Sequence, residues 1–128
     1  MNKTILLTGI VFGILAVILG AFGAHGLEKL VNADAIQTFE TGVRYQMYHA
    51  LFLLVLGSMP QLPEQRKKTI YYLIVAGVVL FSFSIYFLAI NALTNFDFKI
   101  IGFLTPIGGL LLILGWGIFG YRLYRQVD

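Results

Sequence analysis

Arg44, Tyr45, Tyr48 and His49 stand close together in the stretch Thr41-Gly42-Val43-Arg44-Tyr45-Gln46-Met47-Tyr48-His49. On a helix, Arg44 and Tyr48 are four positions apart, as are Tyr45 and His49, and Glu40 lies one turn ahead of Arg44, so each pair shares a face. A guanidinium, two phenols and an imidazole so arranged could receive an anionic or amphipathic molecule. A lipid headgroup fits this chemistry, with Arg44 as charge partner and the tyrosines and His49 as a hydrogen-bonding frame. The competing reading has Arg44 snorkelling to the surface or pairing with Glu40, and the tyrosines belonging to an interfacial belt. The question matters because a charge inside a membrane costs from about 2.5 kcal/mol upward unless it is paired or snorkelled.

A membrane is the right setting. Of the 128 residues, 59% are hydrophobic and 12% are charged, against about 25% charged in soluble domains. Mean hydropathy is strongly positive. The charge is missing from four blocks of roughly 18–25 residues, the length that crosses about 30 Å of hydrocarbon as a helix. The expected fold is an all-α membrane protein: a four-transmembrane-helix bundle forming a single integral membrane domain over 1–128. The approximate helices are 4–25, 35–59, 69–92 and 100–124.

The first apolar run, with Lys3 ahead of it and Ala21-Phe22-Gly23-Ala24 at its end, imitates a secretory signal. It reads as transmembrane helix 1 because about 20 apolar residues exceed the usual signal core. Gly9, Gly13, Ala16, Gly20 and Gly23 recur along it at alternating helical spacings, one seam of small residues that lets backbones approach closely. The seam is either packing inside the bundle or a subunit interface. A glycine of Gly23-Ala24-His25-Gly26 in the left-handed conformation would stop the helix. His25 would then satisfy carbonyls at that end. Asp34 and Gln37 resemble a capping box, placing the start of helix 2 near Ala35. Pro60 and Pro63 stop helix 2, three cations (Arg66, Lys67, Lys68) precede helix 3, and Asn95 to Lys99 form a turn. Thr105-Pro106-Ile107-Gly108-Gly109 predicts a kink in helix 4.

Lys3, Arg66, Lys67, Lys68, Arg122 and Arg125 fall on one side of the membrane, against Lys29, Lys99 and the borderline Arg44 on the other. The positive-inside rule then places both N and C termini and the 60–68 loop in the cytoplasm. Tyr71, Tyr72, Trp116, Tyr121 and Tyr124 would form the inner aromatic belt, and Tyr45, Tyr48 and Tyr86 the outer one. Tyr86 and Asn91 thereby join the leaflet of Arg44 and complete the candidate ligand-binding set. Ser82, Ser84 and Thr105 are expected to bond their own helix backbones.

Several classes are disfavoured. There is no cysteine, so thiol chemistry and cysteine-ligated metals drop out, and no metal or cofactor is expected. Haem bound between His25 and His49 would need both at similar depth, whereas helical rise separates them by about 10 Å. No basic stripe interleaved with aromatics suggests nucleic acid. Catalysis is not expected, because no set of residues offers a mechanism with named roles in reach of one another. Proton-coupled transport would use an intramembrane carboxylate, yet Glu28, Asp34, Glu40, Glu64, Asp97 and Asp128 all map to loops or span ends. An oligomeric small-molecule or proton transporter or channel, with His49 as the proton site and the Pro106-Gly108-Gly109 break lining a path, is the alternative. The leading expectation is a lipid-like amphiphile or a membrane partner bound at a polar notch on helix 2. Membrane lipid, a second copy of the chain and another membrane protein are the partners considered.

Gly20-Ala21-Phe22-Gly23-Ala24-His25-Gly26-Leu27, Phe39-Glu40-Thr41-Gly42 continuing through Arg44-Tyr45-Gln46-Met47-Tyr48-His49-Ala50-Leu51, and Thr105-Pro106-Ile107-Gly108-Gly109 with Gly115-Trp116 resemble the family called "domain of unknown function 423". The resemblance covers essentially the whole chain. It implies a small four-span protein of the bacterial inner membrane, similar also to a short eukaryotic transmembrane protein. It implies no activity and no functional residue.

Overall fold

The computed structural model describes residues 2–93 and 101–126, and all regular structure among them is helical. Helix α1 spans Lys3–His25 and α2 spans Ala33–Ser58. A third rod is built from α3 (Glu64–Val78), a π-helical segment (Val79–Phe83) and α4 (Ser84–Ala89), and α5 spans Leu104–Gln126. Short 3-10 turns follow α1 (Leu27–Lys29) and α4 (Asn91–Leu93). Among the described residues, three stretches are long and apolar enough to cross a membrane: Lys3–Lys29, Glu64–Ala89 and Leu104–Gln126. Helix α2 is as long, at 26 residues, but the polar residues of its first half keep it out of that set.

Helix ends follow local chemistry, which corrects several boundaries. Asn2 caps α1, its Oδ1 accepting from Ile5 N–H at 3.1 Å. Asn32 caps α2 in the same way, through Ala35 N–H at 2.8 Å. That helix therefore begins at Ala33 rather than near Ala35, because an asparagine upstream of Asp34 already satisfies an orphan donor. Extended Pro63 precedes α3, which starts at Glu64 and not at Thr69. An acid in the first turn suits the positive helix end, so Arg66 to Lys68 are helical rather than loop residues. Gly26 stays right-handed, at φ −96° and ψ −55°, and α1 passes into a 3-10 turn instead of ending on a left-handed glycine. Pro106 falls in the first turn of α5, where a missing N–H costs nothing. The helix runs on through Gly109 without the expected interruption. The expected turn at Asn95 to Lys99 and helix start at Ile100 lie outside the described residues.

The rods pack in the order α1, α2, third rod, α5. Where α1 meets α2, a Cβ on Gly9 would stand 2.9 Å from the Ala50 carbonyl oxygen, and one on Gly23 would stand 3.0 Å from the Phe39 ring. Ala16 is buried, and Gly20 faces Val43. The small-residue seam thus lies against α2 of the same chain, where close approach replaces the hydrophobic drive that lipid does not supply. Gly77 and Gly115 meet Leu112 and Ile74 across the α3–α5 contact, and Gly108 rests on the backbone of Leu80 and Phe81.

The apolar interior is in two parts. A larger cluster joins Ile5, Phe12, Leu53, Leu56, Ile74 and Leu112, with others, toward one end. A smaller one joins Leu27, Phe39 and Ala89 toward the other. Between them, in sequence along α2 and the third rod, come Gly42, Gln46, Ser82 and Tyr86. The end with the larger cluster is tied by polar bonds: Asn2 N–H to the Gly57 carbonyl at 2.8 Å, and Lys67 Nζ to the Met59 carbonyl at 2.6 Å.

Candidate functional site: a polar tier and an exposed arginine on α2

Helix α2 divides the candidate residues between two faces. Phe39, Gly42, Gln46, His49, Leu53 and Leu56 recur at spacings of three and four and are buried. Arg44, Tyr48, Leu51 and Val55 are exposed, and Tyr45 is on the border of that face at 39%. One helix cannot aim both sets at one point. Arg44 and His49 therefore do not form a single notch.

The buried face is a network between helices. The Gln46 amide is inaccessible to solvent; its Nε2 donates to the Phe12 carbonyl on α1 at 2.9 Å, and its Oε1 accepts from the Tyr86 hydroxyl on α4 at 2.7 Å. Ser82 Oγ donates to the Gly42 carbonyl at 2.8 Å, and Ser84 Oγ lies 2.6 Å from Thr105 Oγ1 on α5. Ser84 Oγ bonds its own rod as expected, donating to the Phe81 carbonyl at 2.9 Å, but Ser82 and the Ser84–Thr105 pair also cross between rods, which corrects the expectation for Ser82. The π-helical turn makes this possible, since its extra residue turns Ser82 toward α2 and Ser84 toward α5.

His49 completes the tier. Its Nε2 lies 3.0 Å from Trp116 Nε1, and its Nδ1 lies 2.6 Å from the Tyr45 carbonyl. An indole nitrogen only donates, so Nε2 accepts and Nδ1 carries the proton. Both ring nitrogens are engaged, and neither is turned toward His25, which stands exposed in the last turn of α1. Phe52 meets Trp116 edge-to-face at 4.5 Å between centroids, and Tyr45 packs on Phe81 at 4.9 Å. Trp116, expected in the inner aromatic belt, instead clasps α5 to the middle of α2. Among the described residues no buried side-chain nitrogen or oxygen is left without a partner. A tier so satisfied fixes helix register and rotation.

The exposed face is different. Arg44 makes no ion pair with Glu40; its Nη2 donates to Thr41 Oγ1 at 3.3 Å. The Tyr45 and Tyr48 rings stand beside it, 5.6 Å apart at their centroids. Tyr86 is half-buried and committed to Gln46, and Asn91 opens the 3-10 turn beyond α4. Of the six candidate ligand residues, Arg44, Tyr45 and Tyr48 are exposed together on α2, whereas Gln46-bound Tyr86 and Trp116-bound His49 are engaged in the tier.

Gln46 is the residue that the pattern of charges and aromatics passed over. Its signal was available: it falls on the three-and-four spacing that runs Phe39, Gly42, Gln46, His49, Leu53. A polar amide on the apolar stripe of a helix faces the interior.

Comparison with known proteins agrees with this helical architecture. Residues 19–109 match the model of a family described as "Protein of unknown function (DUF423)". The chain belongs to the DUF423 family. It is 40% identical over 114 residues to a UPF0382 membrane protein of Staphylococcus saprophyticus, covering 89% of this chain and 91% of that one. It is 40% identical to the UPF0382 membrane protein YwdK of Bacillus subtilis (89% and 90% covered), and 36% identical to one from Haemophilus influenzae (89% and 88%). No solved structure matches the chain. This DUF423 protein is thus a helical membrane protein whose described buried polar side chains are partnered within the chain.

Proposed function

We propose that the chain is a multi-pass protein of the bacterial inner membrane, with four spans and both termini cytoplasmic, that binds an anionic lipid-like amphiphile on the outward face of α2. The observation that carries this reading is Arg44, an exposed guanidinium beside the exposed rings of Tyr45 and Tyr48 on the flank of a membrane helix.

Packing supports α2 as the fourth span. Gly9 lies against Ala50 and Gly23 against Phe39, so α2 runs antiparallel beside α1 for most of its length. If α1 crosses, α2 crosses with it; its 26 residues reach about 39 Å. Val43 lies against Gly20 of α1, which puts Arg44 about five residues, or roughly 8 Å, inside the end of α1 at His25. A headgroup phosphate sits within reach of an arginine at that depth.

The role is binding rather than catalysis. Gly108 packs on the Leu80 and Phe81 backbone, which favours binding over the transport alternative. Native mass spectrometry of the protein released from mild detergent, wild type beside Arg44→Ala, tests the reading. A discrete extra mass in the wild type that is lost in the variant is expected. Equal retention, or bare protein in both, overturns lipid binding at Arg44 and directs attention to a protein partner, sought by cross-linking in membranes.

A further inference from the structure

The opposite end of the bundle holds a cleft of about 340 Å³ between α1 and α3. Asn2, Thr4, Gln65 and Lys68 form its polar part, and Tyr71 and Tyr72 form its aromatic wall. Tyr72 is exposed at 58%, while the Tyr71 hydroxyl is fixed 2.9 Å from Thr8 Oγ1 on α1.

The charge of the cleft is positive once its bonds are followed. Glu64 also lines it, but Oε2 accepts from Asn2 Nδ2 at 2.5 Å and Oε1 pairs with buried Lys67 at 3.3 Å. That carboxylate remains about half exposed, at 54%, but its charge is offset by Lys67. Lys68 is exposed and stands outside this pair, so its ammonium is the uncompensated charge. Both α1 and α3 begin at the cleft, adding the positive ends of two helix dipoles. Arg66 and Arg122 lie at the same end, joined through the Arg66 carbonyl.

We infer that this cleft binds the headgroup of an anionic phospholipid, its phosphate on Lys68 and Gln65 and its glycerol passing over Tyr71 and Tyr72 toward the hydrocarbon. Phosphate chemistry alone would suit a free ion equally well. The grading from cation to exposed tyrosine favours a molecule with an apolar continuation, since tyrosine belongs at headgroup level. The site is independent of Arg44, which lies in the other half of α2, away from the Gly57 end tied to Asn2.

The test is native mass spectrometry of the full chain in mild detergent, in an Arg44→Ala background, with phosphatidylglycerol or phosphatidylcholine added. Retention of phosphatidylglycerol in preference to phosphatidylcholine is expected. Lys68→Gln should weaken it about five-fold, the factor carried by one cation at a membrane surface. Thr4→Trp, which fills the cleft without altering charge, should weaken it at least as much. Arg125→Gln, which removes the same charge from the last turn of α5 outside the cleft, should change it less than about two-fold. Equal losses in Lys68→Gln and Arg125→Gln would mean diffuse surface attraction and overturn the site. So would equal binding of the two lipids, or no effect of Lys68→Gln and Thr4→Trp. Displacement of the lipid by inorganic phosphate at equal concentration would overturn the lipid assignment in favour of a phosphate ion. Thr4 and Lys68 are both exposed, and matching thermal unfolding curves would establish that the variants are folded.

Discussion

Trp116 donates its indole N–H to His49 Nε2 across the α2–α5 contact, at 3.0 Å. The bond holds the imidazole neutral in one tautomer, because the other nitrogen must then donate to the Tyr45 carbonyl. The chain contains one tryptophan, so a single indole N–H resonance reports on the contact. In detergent micelles that resonance should exchange slowly in the wild type and shift in His49→Leu, with faster exchange. An indole signal indifferent to His49→Leu would show that the clasp is absent in solution.

Gln46 and Tyr86 join α2 to α4 through one hydroxyl–amide bond. Interhelical bonds of this kind contribute roughly 0.6–1.7 kcal/mol in membranes. Gln46→Leu, Tyr86→Phe and the double variant, compared by denaturation in detergent, should give a coupling energy of about that size. Strict additivity of the two losses would mean the residues do not act on each other.

Gly108 and Gly13 predict opposite behaviour. A Cβ on Gly108 would collide with the backbone of Leu80 and Phe81, which cannot yield as a side chain can. Gly108→Ala should destabilise by at least about 1–3 kcal/mol, the cost of overpacking. Gly13 has only the Ala50 Cβ within reach, at 3.9 Å. Gly13→Ala should be neutral or stabilising by up to about 1 kcal/mol through helix propensity alone. Thermal unfolding of the two variants side by side decides it; a neutral Gly108→Ala would contradict the packing of α5 on the third rod.

The helical class and the seam of small residues were legible because both depend on periodicity within one segment. Gly9, Gly20 and Gly23 could be placed on one stripe from spacing alone, although which helix they would meet could not. Caps were less legible: Asp34 and Asn32 are both competent, and the choice between them is made by where the chain leaves the 3-10 turn. Lys67 shows a different limit. In a run of three cations nothing marks the middle one as inaccessible, yet it is fully buried with its ammonium on the Met59 carbonyl. Its fate is set by a partner eight residues away at the end of another helix. His49 was singled out as a polar intruder, but its partner Trp116 was assigned to the membrane surface by residue type. Only three-dimensional packing could bring those two together.

The π-helical segment Val79–Phe83 has one further consequence. Because it holds one residue more than an α-helical turn would use, it acts as a phase slip in the third rod. Before it the rod packs chiefly on α5, and after it chiefly on α2, with Ser84 still reaching Thr105 of α5. Deleting a single residue there would restore a uniform helix and rotate Ser84–Ala89 by about 100°. Tyr86 would then leave Gln46 without any change to either side chain. The contact between α2 and α4 is thus written as a count of residues as much as a choice of them, and a length change of one would reassign the helix faces.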